Sequence, residues 1–192
     1  MEIWICKPKE IKEVYLSQIL ILILQGGQIR GNANDIRNLI FLADLIAYKL
    51  KDEIVICTAT LKNPYPEYRE KVFNLANLKL PGDHMKELGY IVTHPDYENQ
   101  GHCQDLLGIF FQLIWKNSIY ATTRKPSMIH ILNKYGFRLE GTRYNQDLNL
   151  LIYDSPIINL ERIKPGNELS DKNIYFQISN SFYIPPEFII MN

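Results

Sequence analysis

The sequence has no surplus of charge of either sign: 21 Lys and Arg stand against 21 Asp and Glu in 192 residues. No global field favours a polyanion, so nucleic acid is not an expected partner without a local basic patch. Long hydrophobic runs are missing as well. The most apolar early stretch, Ile19 to Leu24, is far short of the roughly 20 residues that a bilayer demands. It reads as a buried helix face, and no membrane partner is expected. Met1 to Pro8 carries no basic segment ahead of an apolar one, which argues against a secretory signal and for the cytoplasm. Cysteine is scarce. Cys6, Cys57 and Cys103 are odd in number and widely spaced, which fits neither a disulfide framework nor a zinc pattern. His84, His94 and His130 lack the paired spacing of ligands, so no metal is expected. No repeat and no low-complexity tract appears.

What remains is ordinary globular material, 46% hydrophobic and 22% charged, enough to bury one real core. Glu2 to Cys6 predicts a strand. Pro8 then suits the first turn of a helix with Ile11, Val14, Tyr15, Ile19, Leu22 and Ile23 near one face, ended by Gly26-Gly27. After the polar loop GQIRGNAND, Asp35 caps a second helix carrying Ile36, Leu39, Ile40 and Ala43. Asp44 to Tyr48 and Glu53 to Leu61 predict a hairpin turning at Lys49 to Asp52. Tyr65 to Asn77 reads as an inserted helix closed by Pro81-Gly82, with Tyr65, Tyr68 and Phe73 as an apolar wall or as its packing face. Beyond it lie a strand (Glu87 to Thr93), a helix (Gln104 to Lys116), a strand (Ser118 to Thr122), a helix (Pro126 to Lys134) and two final strands, Phe137 to Tyr144 and Leu148 to Tyr153. Strands separated by helices near the middle predict an α/β (α+β) fold with a mixed, partly parallel central sheet flanked by helices. The domain is expected to span 1–154. Residues 155–192, punctuated by Pro156, Pro165, Pro185 and Pro186, read as an extension packing on the domain or on a partner subunit, which allows a homodimer.

Chemistry concentrates in ELGYIVTHPDYENQGHCQ, Glu87 to Gln104. A strand that delivers a loop of backbone N–H groups to a helix start is suited to hold a phosphate. Together with the downstream MIHILNKYGFRLEGT, this stretch resembles motifs A and B of the GNAT superfamily of acetyl-coenzyme A dependent acyltransferases, and the resemblance covers Glu2 to Tyr153. The family loop pattern, Gln/Arg-x-x-Gly-x-Gly/Ala, falls on Glu98, Asn99, Gln100, Gly101, His102 and Cys103, with Gly101 as its strict match. Glu98 places a carboxylate where the family keeps a neutral or cationic group, which weakens anion binding, and Cys103 is a mild obstacle to close backbone approach.

The resemblance implies acetyl-CoA, or another acyl-CoA, as cosubstrate and a small-molecule or amino-group acceptor acetylated by direct transfer. The alternative is a GNAT-like acyl-CoA-binding or sensor domain without turnover. It implies cofactor contacts at Ile91, Val92, Thr93, the loop from Glu98 to Cys103, Thr122, Arg124 and Ser127, with a backbone N–H near Val92 as the oxyanion donor. Glu87 corresponds to the acidic residue that many members use as a base through water; it is equally readable as a solvated strand-end carboxylate. Many members place a proton-donating Tyr five residues before the Phe of the Gly-Phe turn, and Leu132 stands there. Tyr120 and Tyr144 are the other candidate acids, while Tyr135 is expected to turn into the core. His102 reads as a solvated loop residue, and Cys103 as part of the phosphate loop rather than a nucleophile, since no base partners it. Arg124 is either a phosphate or acidic-substrate contact or a surface arginine.

Overall fold

A computed structural model describes residues 1–26, 32–79 and 84–154. The extension 155–192, most of the loop from Gly26 to Asn34 and the Pro81-Gly82 closure lie outside the described residues. Along the chain run β1 (Glu2–Cys6), α1 (Glu13–Gln25), α2 (Ala33–Phe41), β2 (Leu45–Lys51), β3 (Ile54–Lys62), α3 (Pro66–Leu75), β4 (Lys86–Thr93), α4 (His102–Ile114), β5 (Ile119–Thr123), α5 (Pro126–Lys134), β6 (Arg138–Tyr144) and β7 (Leu148–Tyr153). They build a seven-stranded sheet of order β1-β2-β3-β4-β5-β7-β6. Every neighbouring pair is antiparallel except β4 and β5. Among the described residues no helix is long and apolar enough to cross a membrane.

Several boundaries differ from expectation for physical reasons. The β2–β3 turn is not Lys49 to Asp52: β2 continues to Lys51, and the turn is the pair Asp52-Glu53, at φ +50° and +61°. Positive φ at both central residues makes a turn whose twist matches the flanking strands. Lys49 looks like a turn residue, but it is only 5% exposed because its ammonium finds a carboxylate partner below. The first helix starts at Glu13 rather than at Pro8, which lies in a separate 3₁₀ turn, Pro8–Glu10. In α2 the cap is Asn32, whose side chain accepts from the N–H of Asp35, while the Asp35 carboxylate accepts from the N–H of Asn32 in a capping box.

Three apolar clusters hold the layers. On one face α4 and α5 cover the sheet through Leu106, Phe110, Ile114, Leu132 and Phe137. On the other, α1 and α2 pack Leu16, Ile19, Ile23, Ile36 and Ile40 over β2 and β3, and α3 sets Phe73 edge-on against Tyr120, ring centroids 5.5 Å apart.

Candidate active site

The parallel pair β4–β5 is joined at only two positions, Lys86 opposite Ile119 and Glu87 opposite Tyr120. A bulge in β4 explains the parting. The β3–β4 register shifts between Thr58 and Thr60, and Tyr90 stands at φ +49°. An extra residue bends the bulged strand and increases its twist. It also resets the alternation of side chains: Leu88 and Ile91 face the α4 layer, whereas Tyr90 and Val92 face the α1 layer. Beyond Glu87 the strands diverge into a V-shaped gap.

Backbone direction within that gap follows from one hydrogen bond. The N–H of His94 donates to Ile56 O at 2.8 Å, across to β3. Alternation along the strand then turns the N–H of Val92 to β3 as well, and those of Ile91 and Thr93 into the gap. The N–H expected to face the gap at Val92 therefore turns to β3, and those facing the gap are at Ile91 and Thr93. The side chain of Val92 is spent on packing against the end of α1 near Gly26.

At the mouth of the gap, α4 begins two residues earlier than expected, at His102. Gly101 caps it at φ +84° without a side-chain bond, and a Cβ there would meet no described atom within 4 Å. Asp105 makes the first intrahelical bond, to Gly101 O at 3.0 Å, so the N–H groups of His102, Cys103 and Gln104 have no helical acceptor. Asn99, at φ +59°, begins this curl. Glu98 is exposed beside it, and Gln100 donates to Asp96 O at 2.9 Å. An open glycine, orphan N–H groups and a helix start form a cradle for an anion.

His102 is not the solvated residue its loop position suggests. It is 8% exposed, with Tyr97 across its ring at 6.0 Å, and accepts at Nδ1 from Lys49 Nζ at 3.3 Å. Lys49 also donates to Asp105 at 2.9 Å. A buried cation thus underlies the helix start, and Lys51 sits 4.9 Å over the Tyr97 ring nearby. Neither lysine was visible as a site residue in the sequence, since both read as residues of the hairpin turn until β2 carries them on to Lys51. Cys103 is half-buried against the α4-side core beside Cys57, whose Sγ lies 3.4 Å from Thr93 Oγ1. The neighbouring Cys57 thiol and burial hold the Cys103 thiol well above the usual range. It is a poor nucleophile.

Other expected contacts separate. Thr122 is half-buried at the end of β5 and Ser127 is exposed in the first turn of α5. Arg124 is committed elsewhere, donating to Gln146 O at 2.9 Å and Asn145 O at 2.7 Å in the β6–β7 turn. Leu132 is fully buried in the core. Tyr135 does not turn fully inward: it lies against α4, its hydroxyl donating to Gln104 O at 3.0 Å.

At the base of the gap, on the α3 side, the structure joins the two expected catalytic residues. Glu87 is 4% exposed and Tyr120 0% exposed, so the strand-end carboxylate is not solvated. Glu87 pairs with Lys62 Nζ at 2.7 Å, and that ammonium lies 4.5 Å over the Tyr90 ring. The hydroxyls of Tyr120 and Tyr144 are buried and have no hydrogen-bond partner among the described residues. Burial first and the Glu87 charge second push the Tyr120 hydroxyl upward, and Tyr90 and Tyr144 are pushed up to about 12. These hydroxyls keep their protons at neutral pH. Tyrosines in the unfolded chain ionise first, so native stability falls as pH climbs from 10.0 towards about 12. Denaturant midpoints measured across that window should drop; a flat profile contradicts the burial of these hydroxyls.

No protein-family model and no curated protein matches the sequence. Solved structures are. An acyl-CoA N-acyltransferase from Pseudomonas aeruginosa superposes with a TM-score of 0.60 at 13% identity, covering 80% of this chain and 99% of that one. A GNAT-family acetyltransferase from Streptococcus agalactiae gives 0.57 at 17% identity over 79% and 94%. Arabidopsis thaliana NAA60 in complex with acetyl-CoA gives 0.56 at 13% identity over 79% and 98%. At such identities the likeness concerns the backbone. The chain has the fold of the GNAT acetyltransferases.

Proposed function

We propose that this chain transfers an acyl group from acetyl-CoA, or another acyl-CoA, to the amine of a small molecule or exposed amino group by direct transfer. The observation that carries the reading is the β4–β5 gap, with the N–H groups of Ile91 and Thr93 turned into it and an open anion cradle at the start of α4. The residues present fit such a cosubstrate. The cradle suits its pyrophosphate, and the strand N–H groups suit its amide-bearing arm. Its thioester would supply the activated acetyl group.

The chain's own work is positioning and proton movement. The N–H of Ile91 faces the place where a carbonyl oxygen gains charge. Glu87 accepts the acceptor's proton, directly or through water. Tyr120, neutral and unpartnered, can donate to a departing thiolate. Titration calorimetry with acetyl-CoA, paired with thiol release across a panel of amines, tests this. Binding with amine-dependent release is expected, and absence of binding at millimolar acetyl-CoA overturns it. The second reading, a binding domain without turnover, is favoured by Leu132 in the core and by Arg124 tied to the β6–β7 turn. Binding without release across the panel would decide for it.

A further inference from the structure

A primary amine stands beside the base of the gap, on the β3 side of Glu87. Lys62, at the end of β3, stands opposite Glu87 in the β3–β4 register and brings Nζ to 2.7 Å from the carboxylate. Its side chain is only 17% exposed, with the Tyr90 ring beneath the ammonium at 4.5 Å. Gly89 makes the room. A Cβ on Gly89 would fall 2.8 Å from Lys62 Cε and 3.1 Å from Nζ, so the amine rests on bare backbone. Ile91, whose N–H faces the gap, lies two residues further along β4, about 7 Å by strand rise. An amine, a carboxylate able to take its proton and a donor for a carbonyl oxygen thus occupy one turn of a bulged strand.

A surface ion pair would need none of this enclosure. Lysines that serve only solubility keep their ammonium in water, whereas this one lies over Gly89 of β4 between the Glu87 carboxylate and the Tyr90 ring. From that juxtaposition we infer that Lys62 is a modification site, acetylated by its own chain. The inference rests on the acetyl-CoA reading above. In the step, the ammonium gives one proton to Glu87 and the freed Nζ attacks the thioester carbonyl. The C–N bond forms and the C–S bond breaks, and coenzyme A leaves as a thiolate that takes up a proton. Overall an ammonium and a thioester become an amide, a thiol and one released proton. Acetylation removes the charge of Lys62 and its ion pair with Glu87, and because an amide nitrogen is not a nucleophile the self-reaction ends with one acetyl group on Lys62.

The test incubates the folded full-length protein with acetyl-CoA, follows each lysine by peptide mass spectrometry and measures acetyl-CoA binding by calorimetry in parallel. Lys62 should acetylate at least about tenfold faster than any other lysine, and about 100-fold slower in Glu87→Gln, the usual loss of a general base. Gly89→Ala, which displaces the amine without removing the carboxylate, should slow it as well, with its melting temperature confirming the fold. Binding without preferential labelling of Lys62 overturns the inference and leaves the proposed function standing. The inference falls equally if Lys62 reacts as fast in the urea-unfolded chain. Absence of binding brings down both.

Discussion

Replacing Glu87 by Gln is expected to lower acyl transfer to an external amine by about 10²- to 10⁴-fold, the usual contribution of a positioned general base. The substitution keeps the shape of the side chain while removing the charge that pairs with Lys62 and takes a proton. The loss should fall on kcat rather than on acetyl-CoA affinity, because the anion cradle at Gly101 to Gln104 belongs to the start of α4 and Glu87 to the start of β4. Steady-state kinetics with calorimetry separate the two. An unchanged kcat would remove Glu87 from the mechanism. Stability should change less than in most buried-charge deletions, since the Lys62 ammonium keeps the face of the Tyr90 ring at 4.5 Å.

Gly141→Ala should be the most damaging small change to the fold. Gly141 stands at φ +68° in the irregular part of β6, and a Cβ there would lie 2.2 Å from Ala76 O and 3.0 Å from Leu78 Cδ1. Next to it the N–H of Thr142 donates to Ala76 O at 2.8 Å. This is where β6 holds the end of α3, and backbone has nowhere to go. Backbone strain of about 1–3 kcal/mol and overpacking of about 1–3 kcal/mol together suggest a loss of about 3 kcal/mol, or roughly 6–12 °C in melting temperature for a chain of this size. A melting temperature within a degree of the parent would show that the α3–β6 contact yields freely.

Most of the fold was legible in the sequence because its elements carry strong periodic or punctuating signals. Strand β1, strand β7 and helix α5 lie where the alternation and Pro126 place them. The misreadings came from side chains whose meaning depends on distant partners. Lys49 reads as polar until Asp105 and His102 are brought beneath it by α4. His102 reads as solvated until Tyr97 closes over it. At the site, the backbone course from strand through loop to helix was readable, but the bulge at Tyr90 was not, because a positive φ on a tyrosine leaves no mark in the sequence. That bulge moves the inward N–H from Val92 to Ile91. Lys62 was overlooked for a related reason: only the β3–β4 register sets it opposite Glu87.

The two-position pairing of β4 with β5 also bears on how the sheet comes together and comes apart. Strands β1 to β4 form one antiparallel set from residues 2–93, and β5, β7 and β6 form another from residues 119–153. Each set is built around one tight hairpin, β2–β3 in the first and β6–β7 in the second, to which the remaining strands add across intervening helices, and such local pairings form first. Among the described residues they are united by the short strand seam at Lys86 and Glu87, by the helices packed across it and by the contacts of α3 with Tyr120 and β6. The sheet is thus two cooperative units with a shared boundary, and amide hydrogen exchange should resolve two levels of protection. Any ligand arm that bonds to both walls of the gap would merge those levels into one.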